Sequence, residues 1–178
     1  LFVNSIAPQG PEAFNTAVKF MQSVPNFYFF EIFYIAIPIL FHGLYGLWIT
    51  VRMEPNLTRY PYYRNFMYIM QRITGILIFA FVIFHVYTLP LQKYFGGPEV
   101  TFEMLQGQLQ DPVFLVIYIL GLIVSVFHFA NGIATYLIKW GITVGAQSQK
   151  FGTILTWLLF VGITAWGLSS LMAFYGLI

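Results

Sequence analysis

Residues 112–138 read PVFLVIYILGLIVSVFHFANGIATYLI, twenty-seven consecutive positions without Asp, Glu, Lys or Arg. As a helix rising about 1.5 Å per residue this run is roughly 40 Å long, more than the ~30 Å hydrocarbon core of a bilayer requires. The apolar residues are continuous and do not alternate, which excludes a transmembrane barrel strand and leaves a helix as the way to satisfy the backbone in lipid. One ligating side chain, His128, sits inside the run. Such a group in hydrocarbon is a functional candidate by default, because the lipid offers it no partner.

Outward from this segment the pattern repeats. Phe27–Val51, Phe66–Leu91 and Thr153–Ile178 are also long enough to cross, and polar loops rich in Pro, Gly, Arg and Gln separate them. With 59% hydrophobic residues, 20% aromatics, 8% charged residues and a mean hydropathy of +0.77, the chain is too apolar for a water-soluble domain. The expectation is an all-α integral membrane protein, a single helical bundle over residues 1–178 with four spans and an outer loop at residues 1–26. Pro38 predicts a kink in the first span and Pro90 the end of the second.

Six of the eight Lys and Arg residues flank one side: Arg52, Arg59, Arg64, Arg72, Lys139 and Lys150. Lys19 and Lys93 lie on the other, together with every acidic residue except Glu54. The positive-inside rule makes the six-cation side cytoplasmic. Tyr60, Tyr62, Tyr63, Tyr68, Trp140 and Trp157 form an aromatic belt on that side. The formal net charge of +2 gives no ground for nucleic-acid binding. Cysteine is absent, which excludes disulfides, thiolate-bound iron–sulfur or zinc, and covalent haem attachment through Cys-x-x-Cys-His. A nucleotide-binding glycine loop, a His-Glu-x-x-His motif, a Gly-x-Ser-x-Gly elbow and paired intramembrane carboxylates are all missing from the sequence.

The three histidines are His42, His85 and His128, each preceded by Phe and spaced 43 residues apart. Measured from the inner charged ends, His42 lies ten residues before Arg52 and His128 eleven before Lys139. Both are therefore roughly 15 to 17 Å from the inner boundary. His85 lies nineteen residues after Phe66, or roughly 28 Å along its span and close to the outer face. The depths predict a pair, His42 with His128, and an orphan, His85. Two imidazoles at one depth on separate helices are a way to hold a haem iron from both sides, leaving no open position and so favouring electron transfer. Gly43, Gly46, Ala130 and Gly132 beside the pair leave room for a flat macrocycle, although small residues also serve plain helix packing. Arg72 is a candidate haem-propionate contact, the other reading being a side chain that snorkels to lipid phosphate. Glu31, near the outer end of the first span, is a candidate for proton exchange with quinone or a solvated helix-end acid.

The motifs Gly10-Pro11-Glu12-Ala13-Phe14-Asn15, Phe41-His42-Gly43-Leu44-Tyr45-Gly46, Gln71-Arg72-Ile73-Thr74-Gly75, Phe127-His128-Phe129-Ala130-Asn131-Gly132 and Trp140-Gly141-Ile142-Thr143-Val144 are specific when taken together. Through them the chain resembles, almost end to end, the cytochrome b membrane anchors of di-haem succinate:menaquinone oxidoreductases of Bacillus-like bacteria. The resemblance implies five transmembrane helices and two b-type haems in the bacterial cytoplasmic membrane. It also implies electrons entering from an iron–sulfur subunit on the cytoplasmic side, itself fed by a succinate-oxidising flavoprotein, and leaving to menaquinone near the outer side. His42 and His128 would then ligate the proximal haem. His85 would ligate the distal haem, its partner being a histidine on a first helix upstream of Leu1, so the expectation is that the chain shown lacks that helix. A fumarate reductase anchor shares this architecture in the opposite direction. A haem-free transporter or scaffold is the alternative of another class, and the sequence lacks the inverted repeats and midplane acids of transporters. Di-haem anchors of nitrate reductase or formate dehydrogenase satisfy the same chemistry with fewer matching motifs.

Overall fold

A computed structural model describes residues 2–89, 91–92 and 95–177. Among them there are no strands, and four helices are long and apolar enough to cross a membrane. In chain order, a 3-10 turn at Asn4–Gln9 leads to α1 (Pro11–Gln22), α2 (Phe27–Val51), α3 (Tyr63–Thr88), α4 (Phe102–Leu109), α5 (Pro112–Lys139) and α6 (Ala146–Tyr175). The expected all-α bundle is thus observed. α3 and α6 begin earlier than their apolar runs, because the polar residues 63–65 and 146–152 continue the helix into the interface. The helix end expected at Pro90 and the cation Lys93 lie outside the described residues.

The local chemistry explains where the central helix begins and ends. The carboxylate of Asp111 accepts a hydrogen bond from the Val113 amide at 2.8 Å, and Pro112 occupies the first helical position, where a missing N–H costs nothing. At the far end Gly141 adopts a left-handed φ of 67°, and the Ile142 amide closes back on the Leu137 carbonyl at 2.9 Å. Trp140-Gly141-Ile142 is therefore a helix stop.

Pro38 bends the backbone differently from the expected simple kink. The residues just before it, Glu31–Ala36, form a π-helical stretch, and the α-helix resumes at Ile37. A proline ring crowds the carbonyl four residues earlier, here Tyr34, and a widened turn relieves that contact without ending the helix.

α5 packs along α6 and against α3, and α3 in turn carries α2. α2 stands at the margin of the bundle, with none of its apolar window buried. Within residues 1–26, expected as an outer loop, the described residues instead hold a 3-10 turn and α1. The 3-10 turn and α1 pack on α6 and α4, forming a cap over one end of the bundle. Phe14 and Val18, four residues apart, supply the buried face of α1. Phe14 is only 1% exposed and meets Phe174 of α6 edge-on at 5.0 Å and Phe102 of α4 at 6.1 Å. Asn15 reinforces this contact by accepting from the Phe102 amide at 2.8 Å and donating to the Glu103 carboxylate at 3.2 Å. Glu103's own backbone N–H, and then the Asn15 amide, hold that carboxyl below the usual carboxylate range. Truncating a buried Phe leaves a cavity that costs about 3–5 kcal/mol. Phe14→Ala should accordingly loosen the cap, and limited proteolysis within residues 11–22 should become much faster than in the parent while α5 and α6 stay protected.

Candidate functional site between the membrane helices

The structure brings His42 of α2 and His128 of α5 together across α3, with ring centroids 6.2 Å apart and ring planes at 78°. His85 is elsewhere, near the opposite end of α3, so the predicted pair and orphan are both observed. The two paired rings have different surroundings. His42 is exposed, on the helix with least burial, and among the described residues no hydrogen bond reaches its ring. His128 is partly buried and closely held.

Three residues of α3 hold it. The Thr74 hydroxyl lies 3.1 Å from His128 Nδ1. Gln71 Nε2 donates to the His128 carbonyl at 3.2 Å, while its Oε1 accepts from Asn131 Nδ2 at 2.6 Å. Asn131 Nδ2 also reaches the Met67 carbonyl at 3.2 Å. A Cβ on Gly75 would lie 3.2 Å from His128 Cε1, so that glycine leaves the ring its place beside α3. Thr74, Gln71, Gly75 and Asn131 were visible in the sequence only as motif letters. The signal that could have singled them out is polarity, since Gln71, Thr74 and Asn131 are amide or hydroxyl residues one turn from His128 or facing it.

The small residues near the pair divide in function. A Cβ on Gly43 would overlap the Phe79 ring, so this glycine serves the approach of α2 to α3. Gly46, one turn on, has no atom within 4 Å of its Cβ position. Gly132 is in ordinary contact range of Gln71 Nε2, at 3.5 Å, and Ala130 is buried.

Arg72 is partly buried, with its guanidinium 3.7 Å from the centre of the Tyr68 ring and its Nε buried without a hydrogen-bond partner among the described residues. It lines a cleft of about 400 Å³ at the basic end of α3, α5 and α6, with Arg64, Gln71, Asn131, Lys139 and Trp157. At that end Trp157 donates to the Tyr63 hydroxyl at 2.9 Å and Arg64 to Gln149 at 2.6 Å. Arg52 lies over the Trp48 ring at 3.9 Å and Arg59 over Tyr60 at 5.4 Å. Two of the expected interfacial aromatics, Tyr60 and Tyr68, thus seat basic residues, as does Trp48 outside that expectation.

His85 lines a second cavity, of about 230 Å³, under the α1–α4 cap. Its ring is 5.9 Å from those of Phe81 and Tyr118, and its buried Nδ1 has no hydrogen-bond partner among the described residues. Glu31, at the start of the π-helical stretch, lines the same cavity, as do Gln22, Gln108 and Phe14. Glu31 and His85, unrelated in the sequence, therefore share one space.

Residues 50–169 match the family described as the succinate dehydrogenase/fumarate reductase transmembrane subunit. The chain is also 40% identical, over 174 residues, to the succinate dehydrogenase cytochrome b558 subunit of Bacillus subtilis (strain 168), a match covering 98% of this chain and 86% of that protein. No solved structure matches the chain.

Proposed function

The chain belongs to the succinate dehydrogenase/fumarate reductase transmembrane subunit family, and on that premise we propose that it is a di-haem cytochrome b anchor relaying electrons between an iron–sulfur subunit and menaquinone. The observation that carries this reading is the His42–His128 pair. Two metal–imidazole bonds of about 2 Å, plus roughly 1 Å from each ligating nitrogen to its ring centre, bring facing imidazoles about 6 Å apart. The observed 6.2 Å fits that requirement. When bound between two histidines, a haem supplies one-electron exchange at an iron with no open position for oxygen or substrate.

The remaining residues take complementary roles. Arg72 brings a guanidinium with an unsatisfied Nε to the inner end of the crevice, a group suited to a propionate carboxylate. His85 would hold a second haem in this cavity, where its buried Nδ1 meets no hydrogen-bond partner among the described residues. Glu31, in the same cavity, is positioned to exchange a proton with quinone at the outer face. The basic inner loops around Arg52, Arg59, Arg64 and Lys150 form the docking face for the iron–sulfur subunit. Succinate oxidation belongs to the flavoprotein behind that subunit, so this chain contributes positioning and redox tuning in a multi-pass subunit of the bacterial cytoplasmic membrane.

A dithionite-reduced minus oxidised spectrum, with haem quantified per subunit of the purified complex, tests this. Two low-spin b haems are expected. One would limit the reading to the His42–His128 site, and none would overturn it.

A further inference from the structure

We infer that Thr74 is a positioning residue that fixes the tautomer of His128 and, through it, lowers the reduction potential of the haem which that imidazole holds. The inference rests on the reading of His128 as an axial ligand.

A threonine hydroxyl has one proton to give and two lone pairs to receive with. Thr74 Oγ1 lies 2.7 Å from the Met70 carbonyl and 3.2 Å from that of Gln71, both on its own helix. Carbonyls only accept, so the single hydroxyl proton is committed to them. Towards His128 the oxygen is left as an acceptor. The 3.1 Å contact is then an Nδ1–H donating to Thr74 Oγ1, and a neutral imidazole with its proton on Nδ1 carries its free lone pair on Nε2. One hydrogen bond therefore selects the nitrogen that remains available to a metal.

This bond cannot drift far. Thr74 is 3% exposed, and its hydroxyl is tied to the helix on the other side. Gly75 lets the His128 ring lie close against α3, and the Gln71–Asn131 amides key α5 to α3 in register one turn away. No comparable bond holds His42 among the described residues, so the pair has one preset imidazole and one that adjusts to it. An acceptor on the non-ligating N–H raises the basicity of the ligating nitrogen. A more basic ligand stabilises ferric over ferrous iron, and second-shell hydrogen bonding of this kind is a recognised control on haem potential.

The test uses the intact complex carrying Thr74→Val, which keeps the side-chain shape and removes the acceptor, beside Thr74→Ser, which keeps the acceptor. Spectroelectrochemical titration resolves the haem components, and His128→Ala identifies the one that depends on His128. In Thr74→Val that component should titrate at a higher potential, its reduced-to-oxidised ratio at the parent midpoint rising several-fold, where tenfold corresponds to about 59 mV for one electron. Thr74→Ser should titrate like the parent. Loss of that haem in Thr74→Val, with retention in Thr74→Ser, would equally support the hydroxyl's role. Unchanged potentials in Thr74→Val, or equal shifts in both variants, would overturn the role of Thr74 and leave His128 as a ligand. Retention of both haems in His128→Ala would overturn the ligand reading itself.

Discussion

On the di-haem reading, His128→Ala should lower the haem content of the purified complex from two per subunit to one, with the reduced-minus-oxidised amplitude roughly halved. An alanine supplies no ligand, and the ring it replaces is the better held of the pair, through Thr74, Gly75 and the Gln71 bond to its carbonyl. Stability should fall as well. A ligand that binds only the folded state stabilises it in proportion to its saturation, by about 4 kcal/mol at a thousand times its dissociation constant. The variant should therefore melt earlier than the parent, and added haemin should not restore the difference. His42→Ala should lose the same spectral component, since both rings face one space at 6.2 Å. Loss of different components in the two variants would break the pairing.

Gly121→Val should have the second largest effect, and at the other end of the bundle. A Cβ on Gly121 of α5 would overlap the Phe81 ring of α3, which cannot withdraw freely because it lies 5.6 Å from Tyr118 and 5.9 Å from His85. Forcing extra carbon into such a contact typically costs 1–3 kcal/mol, and β-branching adds to it. In lipid the penalty acts on the main source of helix association, which is close packing at small residues. The displaced Phe81 pushes on His85, so the haem proposed at His85 should be lost at a lower detergent concentration or temperature than the one proposed at the His42–His128 pair. Thermal titration followed at both haem components reads this order directly. Simultaneous loss of both would mean that the strain spreads along the whole α3–α5 contact.

Much of this arrangement was legible in the sequence. Four apolar runs located the spans, because hydrophobic length is read along one dimension and a bilayer tests little else. Counting residues from the cations at the basic end placed His42 and His128 at one depth and His85 at another, because helical rise is constant. What failed was the reading of polar, mixed segments. Residues 1–26 looked like a loop, yet Phe14 and Val18 form the buried face of a capping helix, and the partners that reveal it, Phe102 and Phe174, are some ninety and one hundred and sixty residues away. At Gly43, where clearance for a macrocycle and plain helix packing were both open, the close approach of Phe79 shows packing.

The sequence by itself determined that this chain is a bundle of membrane helices, which end carries the positive charge, and at what depth each histidine lies, since all three follow from composition and a fixed rise per residue. Only the tertiary structure decided which faces meet: that Thr74 reaches Nδ1 of His128, that Arg72 keeps an unsatisfied Nε, and that Glu31 shares a cavity with His85. Rotation of a helix about its axis changes neither depth nor hydropathy, and it is settled by side-chain packing and hydrogen bonds between segments distant in the chain.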